Sequence, residues 1–444
     1  MSDKFKRSNI FIALGAATGL GNAFRFPALC VGYGCSFLIA YAVCLALICY
    51  PLLCAELALG KRGVNGGKPW ACILAAACGN SALIALYYGG ISSKLGAACL
   101  NFAIFSSAQS QNSSKLIIFG AIIALFAAYM LLNRGGKHLL RMNKLSVISS
   151  FALFLFLAAF AFIFRFPQIA GVFSSFDFST LSSVTVWGEA LGQALLSLSL
   201  AAGAMPAFAK KIEGGFSVRK TAIIIIAANF FGCVFSMLAT LPYVTEFPAA
   251  DTLTCALTVY PQVVFCVAGG GIGGRIFGTL VYLILFIVAV NSQVSLASAM
   301  GSLYKGKPRG YAIIFTVAVA FLLPAFLGAD GQVMGACDRM ACSVNAILIA
   351  LAECIFFAFR KRLKSAVGLY SCALLKSLCP AACALLTIFS LCGARFSAFV
   401  PFARVAGYLS FAAVLLCAAV RLAAYRTRFS RLNGLGCKLR KFLQ

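Results

Sequence analysis

Long apolar runs, interrupted by short polar clusters, fill this chain almost from end to end. A helix needs about 20 mostly apolar residues to cross the hydrocarbon of a bilayer. Twelve stretches come close to or exceed that length: 9–30, 36–58, 70–105, 116–132, 146–164, 187–209, 221–243, 277–303, 310–328, 338–359, 368–391 and 404–423. Most connections between them are short. The pattern predicts an all-α polytopic membrane protein in one domain, with no room for a soluble catalytic one.

Two of the runs are interrupted at their middle. In the first, Leu14 to Pro27 carries glycines, Asn22, Arg25 and a proline. Glycine relaxes the backbone, and Asn22 and Arg25 are expensive in hydrocarbon unless partnered. Irregular backbone at membrane depth survives only where it is buried in protein or lines a wet cavity. The sixth run carries Gln193, Ser197, Ser199, Gly203 and Pro206, a set that weakens a helix near its middle. Spans one and six hold corresponding places in two groups of five, and paired interruptions of this kind point to a midplane transport site. The organisation expected is a five-helix repeat at 1–165, a second at 187–359, two accessory helices at 368–423 and a basic tail at 424–444.

Other polar residues sit singly inside apolar runs. Glu56, in the second span, must face protein, and reads as an acceptor for backbone N–H groups freed where neighbouring helices unwind. Tyr87 and Tyr88 mark the third span and Asn229 the seventh, while Asn291-Ser292-Gln293 and Ser295 form a polar knot in the eighth. Hydroxyls and amide oxygens are hard donors that suit a small dehydrated cation. The acids in or near the spans, including Asp338 and Glu353, read as isolated from one another. Gly63 to Lys68 has the wrong spacing for a phosphate loop, and no strand precedes the glycines at 269–274 as a dinucleotide site requires.

Composition agrees with the pattern: 62% of the 444 residues are hydrophobic and 11% charged. The net charge of +27 would suggest nucleic acid in a soluble protein. Here 28 of the 37 Lys and Arg fall in alternate connections or at the two ends. Positive loops stay cytoplasmic, so both termini are expected inside a plasma (cytoplasmic) membrane, and no nucleic acid is expected as a partner. The apolar start continues past Asn22 without a cleavage site, so it reads as mature sequence. The 20 cysteines read as small buried hydrophobes, with Cys379 and Cys383 on one helix face without partners. His138, the sole histidine, falls in a basic loop.

Five segments resemble, in order, the signature of the neurotransmitter:sodium symporter family, whose fold is that of the leucine transporter. They are GLGNAFRFP in span one, YPLLCAELALGKR closing span two, GQALLSLSLAAGAMP in span six, TVYPQVV before span eight and AVNSQVSLAS within it. The resemblance covers spans one to ten. It implies a 5+5 inverted repeat and a symporter that imports a neutral amino acid, hydrophobic or aromatic, with sodium at two sites. The first sodium would take Ala17, Asn22, Ser197 and Asn229. The second would take Gly15, Thr18, Val288, Asn291 and Ser292. The substrate would lie against Ala16, Ala17, Leu20, Gly21, Ile84, Tyr88, Leu196, Ser197, Ser199, Ala202, Ser292 and Leu296. Arg25 and Asp338 would form the outer gate. Gly19 stands where members carrying monoamines have aspartate, which leaves room for a substrate that brings its own carboxylate.

Departures from the family pattern bear on function. Leu196 replaces an aromatic lid, so occlusion rests more on Tyr88. Ala201 replaces a glycine at the second break and makes it less free. Cys233 stands where chloride-independent members have an acid, which makes chloride, held by Tyr41, Gln193, Ser197 and Asn229, the expected source of the missing negative charge. No cytoplasmic latch is evident near residues 1–10. The alternative is a non-transporting sensor or regulatory subunit that binds an amino acid. An enzyme would need paired acid–base groups or a metal cluster. Oligomeric state is not legible.

Overall fold

The computed structural model describes residues 14, 19, 21–62, 67–105, 136–174, 176–210, 212, 216–243, 259–303, 338–360 and 364–393. Among them all regular structure is helical. A π-helical turn at Gly21–Arg25 leads into α1 (Phe26–Tyr33), which Gly34 ends with a positive φ of 76°. Then come α2 (Phe37–Arg62), α3 (Gly67–Phe105), α4 (Gly136–Phe164) and the short α5 (Phe166–Ser174). The sixth span is α6 (Val184–Ser197) plus α7 (Ala204–Ala209), followed by α8 (Val218–Leu238), α9 (Tyr260–Ala268) and α10 (Gly271–Leu303). The described residues end with α11 (Arg339–Ala358), α12 (Leu369–Lys376) and α13 (Leu378–Gly393).

Six segments among the described residues are long and apolar enough to cross a membrane: Phe37–Arg62, Arg141–Phe164, Val218–Tyr243, Gly271–Leu296, Arg339–Ala358 and Leu369–Phe389. The chain is therefore an all-α, multi-pass membrane protein. Large apolar side chains such as Leu155, Phe162, Ile224 and Phe231 stay exposed on their outer faces, as a lipid-facing surface requires. Spans 116–132, 310–328 and 404–423, with the tail, lie outside the described residues.

Helix ends differ from the apolar runs in a consistent way. The helices of the third, fifth and eighth spans start at Gly67, Gly136 and Gly271, each earlier than its run. An apolar run marks the hydrocarbon, whereas a helix continues through polar residues into the headgroup layer. His138 accordingly lies on a helix rather than in a loop. The eleventh run is two helices, bent at Ser377 (φ −121°, ψ −80°). Pro380 cannot donate to the carbonyl four residues back at Lys376, and the bend sits there.

Two cores hold the helices together. One packs α2 against α6, α7, α8, α11 and α13, with Leu52, Leu53, Phe208 and Met205 fully buried. The other joins α1, α3, α4, α9 and α10 around Phe24, Tyr260 and Tyr282. The end of α2 lies directly against α7, where a Cβ on Gly60 would stand 2.2 Å from the Pro206 carbonyl oxygen. Gly60→Val should lower stability by about 1–3 kcal/mol, seen as a reduced thermal unfolding temperature in detergent. Gly79→Ala, with nothing within 4 Å of the new Cβ, should leave that temperature unchanged or raise it.

Candidate functional site

The interruption expected in the sixth span is confined to residues 198–203, between α6 and α7. Three of its residues are left-handed: Ser199 (φ 52°), Ala201 (φ 55°) and Gly203 (φ 67°). For the two with a Cβ that conformation costs roughly 1–2 kcal/mol each. Pro206 has no N–H for the Ala202 carbonyl, which accepts instead from the Ser81 hydroxyl at 3.4 Å. The Ala201 N–H donates to Glu56 Oε1 at 3.1 Å. Ala201 thus enters the conformation a glycine would adopt freely, and Glu56 receives its N–H.

Glu56 is not isolated, which corrects the sequence expectation. Its carboxyl group lies beside that of Glu353 on α11, and both side chains are fully buried. The cysteine reading needs a similar correction, because Cys379 Sγ donates to the Leu47 carbonyl at 3.4 Å and both Cys379 and Cys383 lie beside Cys354. Among the described residues no His, Cys, Asp or Glu group has metal-holding geometry.

At the first interruption Gly15, Ala16, Ala17, Thr18 and Leu20 lie outside the described residues. Beyond them the Asn22 N–H reaches the Gly19 carbonyl at 3.1 Å. Asn22 Nδ2 donates to Asn229 Oδ1 at 2.8 Å, and Asn229 Nδ2 donates to Ser197 Oγ at 3.1 Å and Tyr41 Oη at 2.6 Å. Tyr41 also meets Ser197 Oγ at 3.0 Å and Cys233 Sγ at 3.4 Å. Asn22, Ser197 and Asn229, expected around the first sodium, therefore adjoin Tyr41, expected around chloride. Gln193 does not join them. Its amide nitrogen donates to the Gly21 carbonyl at 3.0 Å and its oxygen accepts from Arg25 at 3.1 Å.

Val288, Asn291 and Ser292, expected around the second sodium, share α10. The Ser292 hydroxyl donates to the Val288 carbonyl at 2.9 Å. Asn291 is 1% exposed, and neither polar atom of its amide has a hydrogen-bond partner among the described residues. Leaving such a group unpaired costs about 1–3 kcal/mol.

One cavity lies between α3, α10 and the sixth-span break. Gly21, Ile84, Tyr88, Leu196, Ser197, Ser199, Ala202, Ser292 and Leu296 all line it, as does Gly19. A Cβ on Gly21 would stand 3.3 Å from the Tyr88 hydroxyl, so the two groups expected to meet a substrate carboxylate are adjacent. Asn80, Phe208 and Gln293 also line the cavity and were not singled out for it.

Among the described residues Arg25 carries a dense set of polar contacts. Its Nε donates to both Asp338 oxygens at 3.0 Å. Its Nη2 donates to Glu189 Oε2 at 2.6 Å, and Ser343 Oγ donates to Glu189 Oε1 at 2.9 Å. The Arg25 side chain is 2% exposed and each acid 14%. Glu189 was not anticipated; it lies three residues into the sixth run, one helical turn before Gln193, and that shared face was the available signal.

Residues 3–111 match the sequence profile of the Sodium:neurotransmitter symporter family. An uncharacterized sodium-dependent transporter of Methanocaldococcus jannaschii is 25% identical over 342 residues, covering 65% of this chain and 66% of that protein. The sodium- and chloride-dependent transporter XTRP3 of Homo sapiens is 47% identical over 58 residues, 13% of this chain and 10% of the relative. The chain thus spans 66% of the archaeal relative and a tenth of the human one. In fold it is similar to MhsT crystallised with L-phenylalanine, with a TM-score of 0.73 and 20% identity over 86% of this chain and 98% of that one.

The Arg25 cluster yields a test. Glu189→Gln and Asp338→Asn each leave Arg25 one ionised partner, whereas the double variant leaves a buried cation with none. The double variant should lose more stability than the sum of the singles, by about 0.5–3 kcal/mol, in denaturation followed in detergent. Strict additivity would show that the two acids do not act on a common guanidinium.

Proposed function

We propose, from the match of residues 3–111 to the sodium:neurotransmitter symporter profile and the similarity in fold to MhsT, that the chain is a member of that family and couples sodium entry to import of a neutral amino acid by alternating access. Family and fold are those of secondary transporters, not enzymes. The observation that carries the reading is the cavity itself: residues from the first interruption, α3, the second interruption and α10 converge on it.

In this reading the carboxylate of the amino acid meets the Gly21 N–H and the Tyr88 hydroxyl. Gly19 adds no charge of its own, so the site favours a substrate that brings an acid and a base together. Leu196, Ile84 and Leu296 offer apolar contact to the side chain, and Ala202 leaves it room, consistent with the L-phenylalanine held in the MhsT crystal structure. Asn22, Ser197 and Asn229 with Ala17 hold one sodium. Asn291, Ser292 and the Val288 carbonyl, with Gly15 and Thr18, hold the second. The unpartnered Asn291 amide supports that second assignment, because its oxygen is a hard donor without other work.

Coupling follows from sharing. A sodium beside the cavity favours the outward form that admits it, and the substrate carboxylate completes its shell. Chloride would sit beside Tyr41, Ser197 and Asn229, where Cys233 supplies no carboxylate. Gln193 is otherwise engaged and is not part of that site. Both termini lie in the cytoplasm, as the charge bias implies.

Purified protein in proteoliposomes should accumulate a labelled neutral amino acid only when a sodium gradient points inward. Binding without accumulation would assign the chain to sensing instead. Asn291→Ala, which removes one ion ligand, should weaken apparent sodium affinity about ten- to a hundredfold while leaving thermal stability near that of the unaltered protein.

A further inference from the structure

We infer that the cavity selects an amino acid whose side chain ends in an N–H or O–H donor. This rests on the amino-acid symporter reading and narrows it. The inference comes from two amides, Asn80 on α3 and Gln293 on α10, both of which line the cavity.

Their orientations are fixed by their neighbours. Asn80 Nδ2 donates to the Ala341 carbonyl at 3.0 Å, and exchanging the amide's two ends would set oxygen against oxygen. The Ser92 hydroxyl spends its one proton on the Tyr88 carbonyl at 2.7 Å, so toward Gln293 it can only accept. Gln293 must therefore present its nitrogen to Ser92, as it does at 3.2 Å. In both side chains the oxygen faces the other way.

Neither oxygen has a partner among the described residues. Asn80 is 4% exposed and Gln293 2%, and both Asn80 Oδ1 and Gln293 Oε1 are buried without a hydrogen bond. Nearby hydroxyl protons are committed elsewhere: Ser197 donates to the Ala194 carbonyl at 3.2 Å and Ser292 to that of Val288 at 2.9 Å. Asn80 lies one turn before Ile84 and two before Tyr88 on the same face of α3. Gln293 directly follows Ser292, and α3 and α10 pack along each other. Asn80 and Gln293 thus line one cavity together with Ile84, Leu296 and Phe208.

Both oxygens are already shut away from water, so a hydrocarbon side chain entering that cavity leaves each of them without a partner, a costly state for a buried acceptor. A donor offsets that cost. A site built around a polar contact discriminates against the analogue lacking it far more strongly than an apolar pocket discriminates by size. Ala202, small beside the same cavity, lets the side chain reach this depth.

The test uses the full chain in detergent, with matched pairs of amino acids that differ by the donor: tyrosine with phenylalanine, threonine with valine, and glutamine with methionine. Binding is measured with sodium and with sodium replaced by N-methylglucamine. In sodium, the donor-bearing member of the pair that binds should be preferred by about tenfold or more. Asn80→Leu and Gln293→Leu should each reduce that preference, and the double variant should reverse it in favour of the hydrocarbon member. Equal affinity within every pair, or a preference unchanged in the double variant, overturns the inference. Sodium-dependent binding without discrimination leaves the symporter reading intact, whereas no sodium-dependent binding of any amino acid overturns both. The unaltered protein decides the matter even where a variant does not fold.

Discussion

A single buried hydrogen bond, from the Ala201 N–H to the Glu56 carboxyl, makes the broken sixth span tenable. Hydrocarbon offers no water to a main-chain group released from a helix, and each unsatisfied group there costs several kcal/mol. The break also holds Ser199 and Ala201 in left-handed conformations. Without a partner on α2 these costs would act together, and a continuous helix through residues 198–203 would be favoured. That helix would carry Ser199 and Ala202 away from their present places on the cavity wall. Glu56 is in turn held fully buried beside Glu353 on α11. The acid pair, the hinge and the cavity are one unit.

The sequence showed the parts of this unit more clearly than their pairings. Runs of apolar residues exposed the spans, and Ser197, Ser199, Gly203 and Pro206 exposed the break, because each acts on the backbone at its own position. Polar residues inside the spans identified α3, α8 and α10 as contributors, because a polar group in hydrocarbon needs a reason. What it needs is a partner on another helix, and nothing local names that partner. Glu353 therefore looked solitary, Gln193 was assigned to Tyr41 although it faces Gly21 and Arg25, and Glu189 passed unnoticed beside Trp187. Helix ends were hidden for a different reason. Hydropathy reports where lipid stops, and the backbone of α4 continues beyond that point to Gly136.

Arg25 shows why such pairings matter to the transport cycle proposed here. It follows the first interruption, Glu189 lies on α6 ahead of the second, and Asp338 immediately precedes α11. One guanidinium therefore ties these three elements together. Gly192 allows them to meet, since a Cβ there would lie 2.6 Å from the Cys342 carbonyl oxygen. A buried charge deprived of one partner destabilises its surroundings strongly, whereas the same charge in water does not. Opening this face must therefore separate the elements far enough for water to reach all three charged groups at once. Partial opening would expose the cluster to the full penalty without the compensating solvation. In the proposed cycle the cluster would favour two distinct states, closed and wide open, which is the behaviour alternating access demands of a gate.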